Sequence, residues 1–225
     1  MDYVKRLENI MSQLRSKNGC PWDKKQNNKS LKPYLLEESH EVLEAIDSGD
    51  PEHLREELGD LLLQVVFHAQ LAREKKRFDL QDVAKTIGDK LVRRHPHVFG
   101  KSSRKMDSIL KRWEELKQEE KPHRKSVLDG LPKSLPALHR AQRMFEKASK
   151  NAKPTGTVEF EKELAKNWMR FTKGLKGSKS QKEKAVGEFL LAFAQAAQKS
   201  GIHAEMALRK ASEKFEKTFR KSEKI

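Results

Sequence analysis

The sequence predicts an all-α, helical-bundle protein, and three observations carry that reading. Apolar residues recur at helical spacing in one segment after another along the chain. Lys, Glu, Ala and Leu dominate, and Phe is the only frequent aromatic, a composition that suits helices. The tetrapeptide Ser48-Gly49-Asp50-Pro51 stops one helix and starts the next. Its Gly suits a helix C-terminus, its Asp an N-cap and its Pro the first helical position.

The elements follow in order. Residues 3–17 place Val4, Leu7, Ile10, Met11 and Leu14 on one stripe, which Asn18-Gly19 ends, and Cys20-Pro21-Trp22-Asp23 opens a polar loop. A second helix opens near Ser30 as cap, with Pro33 in its first turn. Its apolar face is Leu35, Leu36, Ser39, Val42, Leu43 and Ile46, beside a stripe of Glu37, Glu41 and Glu44. A third runs from Pro51 to about Arg73 on Leu54, Leu58, Leu61, Leu62, Val65 and Val66, and the short turn makes it an antiparallel neighbour of the second. A fourth starts at Asp79, carries Val83, Ile87 and Leu91, and ends before Pro96. Residues 101–150 read as a helical connector. One helix runs from Met106 to about Glu120 on Ile109, Leu110, Trp113 and Leu116, and another from Leu135 to Ala148. Pro122, Gly130, Pro132 and Pro136 punctuate it, and Lys153-Pro154-Thr155-Gly156 is a loop.

Residues 151–225 echo the first hundred. Gly187-Glu188-Phe189-Leu190-Leu191 resembles Gly59-Asp60-Leu61-Leu62-Leu63, and each continues as an apolar helix followed by a basic amphipathic one. The order of elements predicts an internal duplication. Aligning the Gly-acid pairs sets Glu188 opposite Asp60 and Ala185 opposite Glu57, with Glu163 opposite Glu38 and Lys166 opposite Glu41.

Composition narrows the function. A chain of 225 residues is one large domain or two small ones, and Cys20, its single cysteine, allows no internal disulfide. The N-terminus lacks an apolar signal core and no run approaches the roughly 18 apolar residues of a membrane span, so the expected compartment is the cytoplasm, with no membrane partner. The net charge of +15 lies wholly in the second half. Residues 1–100 hold 17 Lys+Arg against 17 Asp+Glu, and residues 101–225 hold 31 against 16.

The neutral half carries the chemistry. Glu38/Glu41 and Glu57/Asp60 are each three apart and share a helical face. If the two helices fold back on each other, four acids converge and call for a cation. Carboxylate oxygens without Cys or clustered His favour Mg²⁺, with Mn²⁺ as a substitute, over zinc. Mg²⁺ held this way usually shares its shell with substrate phosphates. Lys90, Arg93 and Arg94, followed by His95-Pro96-His97, supply a phosphate-facing counterpart, or equally a set of cations favoured by the helix dipole. Trp22 suits stacking on a base or capping a core. The chain has no Walker-type loop, no G-x-G-x-x-G, no H-E-x-x-H and no paired C-x-x-C.

These residues resemble the MazG-type nucleoside triphosphate pyrophosphohydrolases, in their two-repeat form. The resemblance rests on Cys20-Pro21-Trp22-Asp23, on Glu37, Glu38 and Glu41 with Glu57 and Asp60, and on Arg93-Arg94-His95-Pro96-His97-Val98-Phe99. It implies a homodimer or higher homo-oligomer of helical hairpins that cleaves nucleoside triphosphates to monophosphate and pyrophosphate with Mg²⁺. It also implies metal ligation by Glu38, Glu41, Glu57 and Asp60, catalysis by Glu37, Glu38 and Glu41, and substrate binding by Lys90, Arg93, Arg94, His95 and Trp22. The second repeat departs from the family pattern, since Lys166 and Ala185 replace two acids and Thr218 stands opposite Arg94. Activity is therefore expected in the first repeat. The alternative is a weakly active or inactive relative whose basic second half docks on RNA or a protein partner.

Overall fold

The computed structural model describes residues 2–100, 105–120, 125–149 and 157–223. Pro122, the Lys153-Pro154-Thr155-Gly156 loop and the side chains of Leu110 and Glu163 lie outside the described residues. All regular structure among the described residues is helical, and no helix among them is long and apolar enough to cross a membrane. The chain divides into two compact units, Met1–Glu120 and Lys121–Ile225.

Unit 1 holds α1 (Tyr3–Leu14), α2 (Pro21–Lys25), α3 (Lys32–Ser48), α4 (Pro51–Glu74), α5 (Leu80–Arg94), α6 (Pro96–Phe99) and α7 (Met106–Glu119). Helix α1 is closed by Asp2, whose carboxylate accepts from the Val4 and Lys5 amides. The α3–α4 turn follows its sequence. Gly49 takes φ +73°, Pro51 opens α4, and the Asp50 carboxylate accepts from the Glu52 and His53 amides. Such a cap contributes about 1 kcal/mol. Asp79 and Asp82 form a reciprocal capping box on α5.

Three local readings change. Pro21-Trp22-Asp23 is the start of helix α2, because Pro21 sits at a helix N-terminus where its missing N–H is harmless. Helix α3 starts from Leu31, while the Ser30 hydroxyl bonds to Gln26 and Asn27. Helix α1 stops at Leu14, earlier than expected, and Gly19 packs so tightly on its end that an added Cβ would lie 2.1 Å from the Leu14 carbonyl oxygen.

The core of unit 1 is Met11, Leu31, Val66, Phe67, Ala69, Leu71 and Leu80, with Leu7, Leu14 and Leu63 against it. It sits on the C-terminal half of α4. There Arg15 forks onto Glu74 at 2.7 and 2.8 Å and lies 5.5 Å from the Phe67 ring centroid. Helix α4 packs on α3, α1 and α5, and on the α3–α4 hairpin Leu35, Leu36, Ile46, Leu58 and Leu62 are exposed.

Unit 2 holds α8 (Ala137–Ser149), α9 (Thr157–Gly174), α10 (Lys179–Lys199) and α11 (Ala204–Ser222). Helix α10 packs on α9 and α8, and its start is a Ser178/Gln181 capping box. Ala185, Ala194, Ala197 and Ala204 are buried. Buried Gln142 on α8 donates to the Ile202 carbonyl at 2.7 Å and accepts from the Ala204 amide at 2.8 Å, fixing the turn into α11. Residues 101–150, read above as a connector, are shared between the units, α7 in the first and α8 in the second.

Candidate functional site

The spacing of the acids decides what the α3–α4 hairpin presents at its interface. Glu38 and Glu41 lie one turn apart on α3, and Glu57 and Asp60 one turn apart on α4. With the two helices packed antiparallel, one carboxylate oxygen each from Glu38, Glu41 and Glu57 falls within 4.8 Å of the others, all three side chains half-buried. Asp60 joins them electrostatically, its charge raising the pKa of Glu38. Burial is the larger cause of that rise, and the Glu41 carboxylate adds to it. The site thus concentrates negative charge where water solvates it poorly, an arrangement that favours a bound cation. Its donors are all carboxylate oxygens, which fit Mg²⁺ or Mn²⁺ and do not fit a soft metal.

Two neighbours of the acids carry no motif in the sequence. Gln64, 5% exposed, donates its amide to Glu38 Oε1 at 3.4 Å and lowers the Glu38 pKa against the other effects. His53 places Nε2 3.3 Å from Glu57 Oε1. Both sit one turn from a predicted acid, Gln64 four after Asp60 and His53 four before Glu57, so i, i+4 spacing on α4 is the signal that finds them. Glu37, next to Glu38 in the chain, is exposed.

The predicted basic residues form a second centre, at the end of α5. Arg93 and Arg94 both turn to one carboxylate, Glu120, just past α7. Arg93 reaches Oε1 through Nε at 3.2 Å and Nη2 at 2.6 Å; Arg94 reaches Oε1 through Nε at 3.1 Å and Oε2 through Nη2. The Arg94 and then the Arg93 hydrogen bonds hold the Glu120 carboxyl down at about 2. The Arg94 guanidinium lies 5.5 Å from the Trp113 ring centroid. His95 caps α5, donating from Nδ1 to the Leu91 carbonyl at 2.6 Å, and meets Trp113 edge to face at 5.0 Å. Lys90, one turn before, is half-buried. Trp22, on α2, meets Tyr34 of α3 edge to face at 5.8 Å with half its surface open to solvent.

Comparison with known proteins finds relatives along the whole chain. A family model described as the MazG nucleotide pyrophosphohydrolase domain matches residues 26–99, which span α3, α4, α5 and α6 with the acids and the arginine pair, while Trp113 and Glu120 lie beyond it. The nucleoside triphosphate pyrophosphohydrolase of Escherichia coli K12 is 44% identical over 233 residues, covering 100% of this chain and 89% of that protein. The nucleoside triphosphate pyrophosphohydrolase/pyrophosphatase MazG of Thermotoga maritima is 43% identical, over 97% of this chain and 85% of its own length. A Mycobacterium tuberculosis nucleoside triphosphate pyrophosphohydrolase matches 66% of this chain at 42% identity.

Proposed function

The chain belongs to the MazG nucleotide pyrophosphohydrolase family, and from that premise we propose that it hydrolyses nucleoside triphosphates to the monophosphate and pyrophosphate in a Mg²⁺-dependent reaction at the α3–α4 hairpin. One observation carries the choice of site: three carboxylate oxygens within 4.8 Å on facing helices, inside the matched domain.

In this reading Glu38, Glu41, Glu57 and Asp60 hold the metal. When bound, Mg²⁺ would lower the pKa of the attacking water and neutralise charge on the phosphoryl oxygens. The chain's residues do the rest. Glu37, exposed beside the cluster, accepts the proton as water adds to the α–β anhydride and that bond breaks to release pyrophosphate. Lys90, Arg93 and Arg94 hold the phosphate chain, His95 fixes the end of the helix that bears them, and Trp22 offers its exposed face to a base. Gln64 orients Glu38 from behind. Exposed Leu35, Leu36, Ile46, Leu58 and Leu62 support a homo-oligomer built on this hairpin. Unit 2 is read as a second repeat retained for packing, and its 25 Lys+Arg against 11 Asp+Glu make it the surface to which an anionic partner would bind.

The test is direct. Purified protein is incubated with a panel of standard and modified nucleoside triphosphates, with and without Mg²⁺, and monophosphate and pyrophosphate are scored. Equimolar products that require Mg²⁺ are expected. Absence of turnover, together with salt-sensitive RNA binding, would replace the enzyme by the binding module.

A further inference from the structure

Arg93 and Arg94 are consecutive on α5, so their side chains leave the helix about 100° apart. Both nevertheless close on Glu120. Two cations on one anion leave a net positive charge, and the two arginines are held unequally. Arg94 is 13% exposed, gripped by both Glu120 oxygens and set against the Trp113 ring, whereas Arg93 is 52% exposed and shares only Oε1. A guanidinium carries five N–H donors, and Arg93 directs only its Nε and Nη2 atoms to Glu120. Its outer edge remains for an oxyanion. Glu120 is itself 13% exposed.

Resting on the reading that this basic cluster meets the triphosphate, we infer that Glu120 is a positioning residue for substrate binding. Arg94 is the half-buried anchor, and Glu120, held by that anchor, fixes the exposed Arg93 in the one orientation that presents its outer edge to a phosphate. Arginine loses its bidentate advantage when its long side chain is left to wander; the Glu120 carboxylate removes that freedom before substrate arrives. The carboxyl, held down at about 2, stays ionised throughout the working range.

The test is a KM-against-kcat split with a double-mutant cycle, backed by equilibrium binding of a non-hydrolysable triphosphate analogue. Glu120→Gln should raise KM and the analogue's dissociation constant roughly tenfold, the size of one charge-assisted contact, with kcat within about twofold. Glu120→Asp, which retains the charge, should recover most of the loss. It also carries the test if Glu120→Gln loses its helical circular dichroism signal. In an Arg93→Ala background Glu120→Gln should add nothing, because the residue it positions is gone. Unchanged KM in Glu120→Gln overturns the inference. A lower KM also overturns it, since Glu120 would then be a competitor for the arginines. Arg93→Ala separates the two levels. If it raises KM and Glu120→Gln does not, this inference alone fails; if Arg93→Ala leaves KM unchanged, the phosphate-binding reading beneath it fails.

Discussion

In the α3–α4 hairpin the facing helices bring together Glu38, Glu41 and Glu57, with carboxylate oxygens within 4.8 Å. In the α9–α10 hairpin, Trp168, Phe171 and Phe189 pack ring to ring at 4.8–5.5 Å. Ala185, aligned with Glu57, is buried so close to α9 that a Cβ on Gly174 would lie 2.3 Å from its own Cβ. Glu188, which the sequence alignment sets opposite Asp60, is exposed with Lys184 at 3.9 Å. The α9–α10 hairpin therefore closes on aromatic and alanine packing without an acid cluster. Burial first, then the Asp60 and Glu41 charges, raise the Glu38 pKa, so the acidic hairpin opposes ionisation of that carboxyl.

The sharpest way to break this contrast is to remove one acid from each hairpin. Glu41→Gln should reduce pyrophosphate release to background, while Glu188→Gln should leave it within about twofold, because exposed surface substitutions away from a site change little. Next in size is the reverse exchange. Ala185→Glu puts a carboxylate into a packed alanine position and should lower stability by roughly 2–4 kcal/mol, read as a shift in the urea midpoint of unfolding.

A smaller effect concerns the cation itself. At about a hundred times its dissociation constant, Mg²⁺ or Mn²⁺ should raise the Tm of the protein by about 5–10 °C. In Glu41→Gln that increment should vanish, while the chelator-treated variant should melt slightly above the chelator-treated parent, since a like charge has been removed.

The smallest effect is the pH dependence, in which the carboxylates of unit 1 have opposite signs. Glu38 titrates above 4.5 in the fold, so its contribution is present at low pH and lost as pH rises through its raised value. Glu74, lowered by its hydrogen bond from Arg15, and Glu120, lowered to about 2 by Arg94 and Arg93, contribute above 4.5 and lose that contribution as pH falls. Without divalent cation, Glu38→Gln should flatten the decline in stability from pH 4.5 towards neutrality. Glu120→Gln should instead flatten the acid limb between about 4.5 and 2. Denaturant midpoints across a pH series measure both.

Much of the site was legible because it obeys local rules. Acids three apart share a helical face whatever surrounds them, and Gly49-Asp50-Pro51 dictates an antiparallel return, so the pairing of Glu38 and Glu41 with Glu57 followed from spacing. The all-α class followed from periodicity in the same way. What escaped detection lacks a period. Helix α2 is five residues long, too short to show a stripe. Leu35, Leu36 and Ile46 were placed on an apolar face and are exposed, because periodicity tells which residues share a face and not what covers it. Glu120 meets Arg93 and Arg94 from 27 and 26 residues away, a separation that no spacing rule encodes.

Manganese binding tests the contrast between the two hairpins most directly. Mn²⁺ is titrated into the parent, Glu41→Gln and Glu188→Gln proteins, and bound ion is followed by electron paramagnetic resonance. The parent and Glu188→Gln should bind alike, and Glu41→Gln should lose that binding. Retention of tight binding by Glu41→Gln, or its loss in Glu188→Gln, would contradict a metal centre in the α3–α4 hairpin.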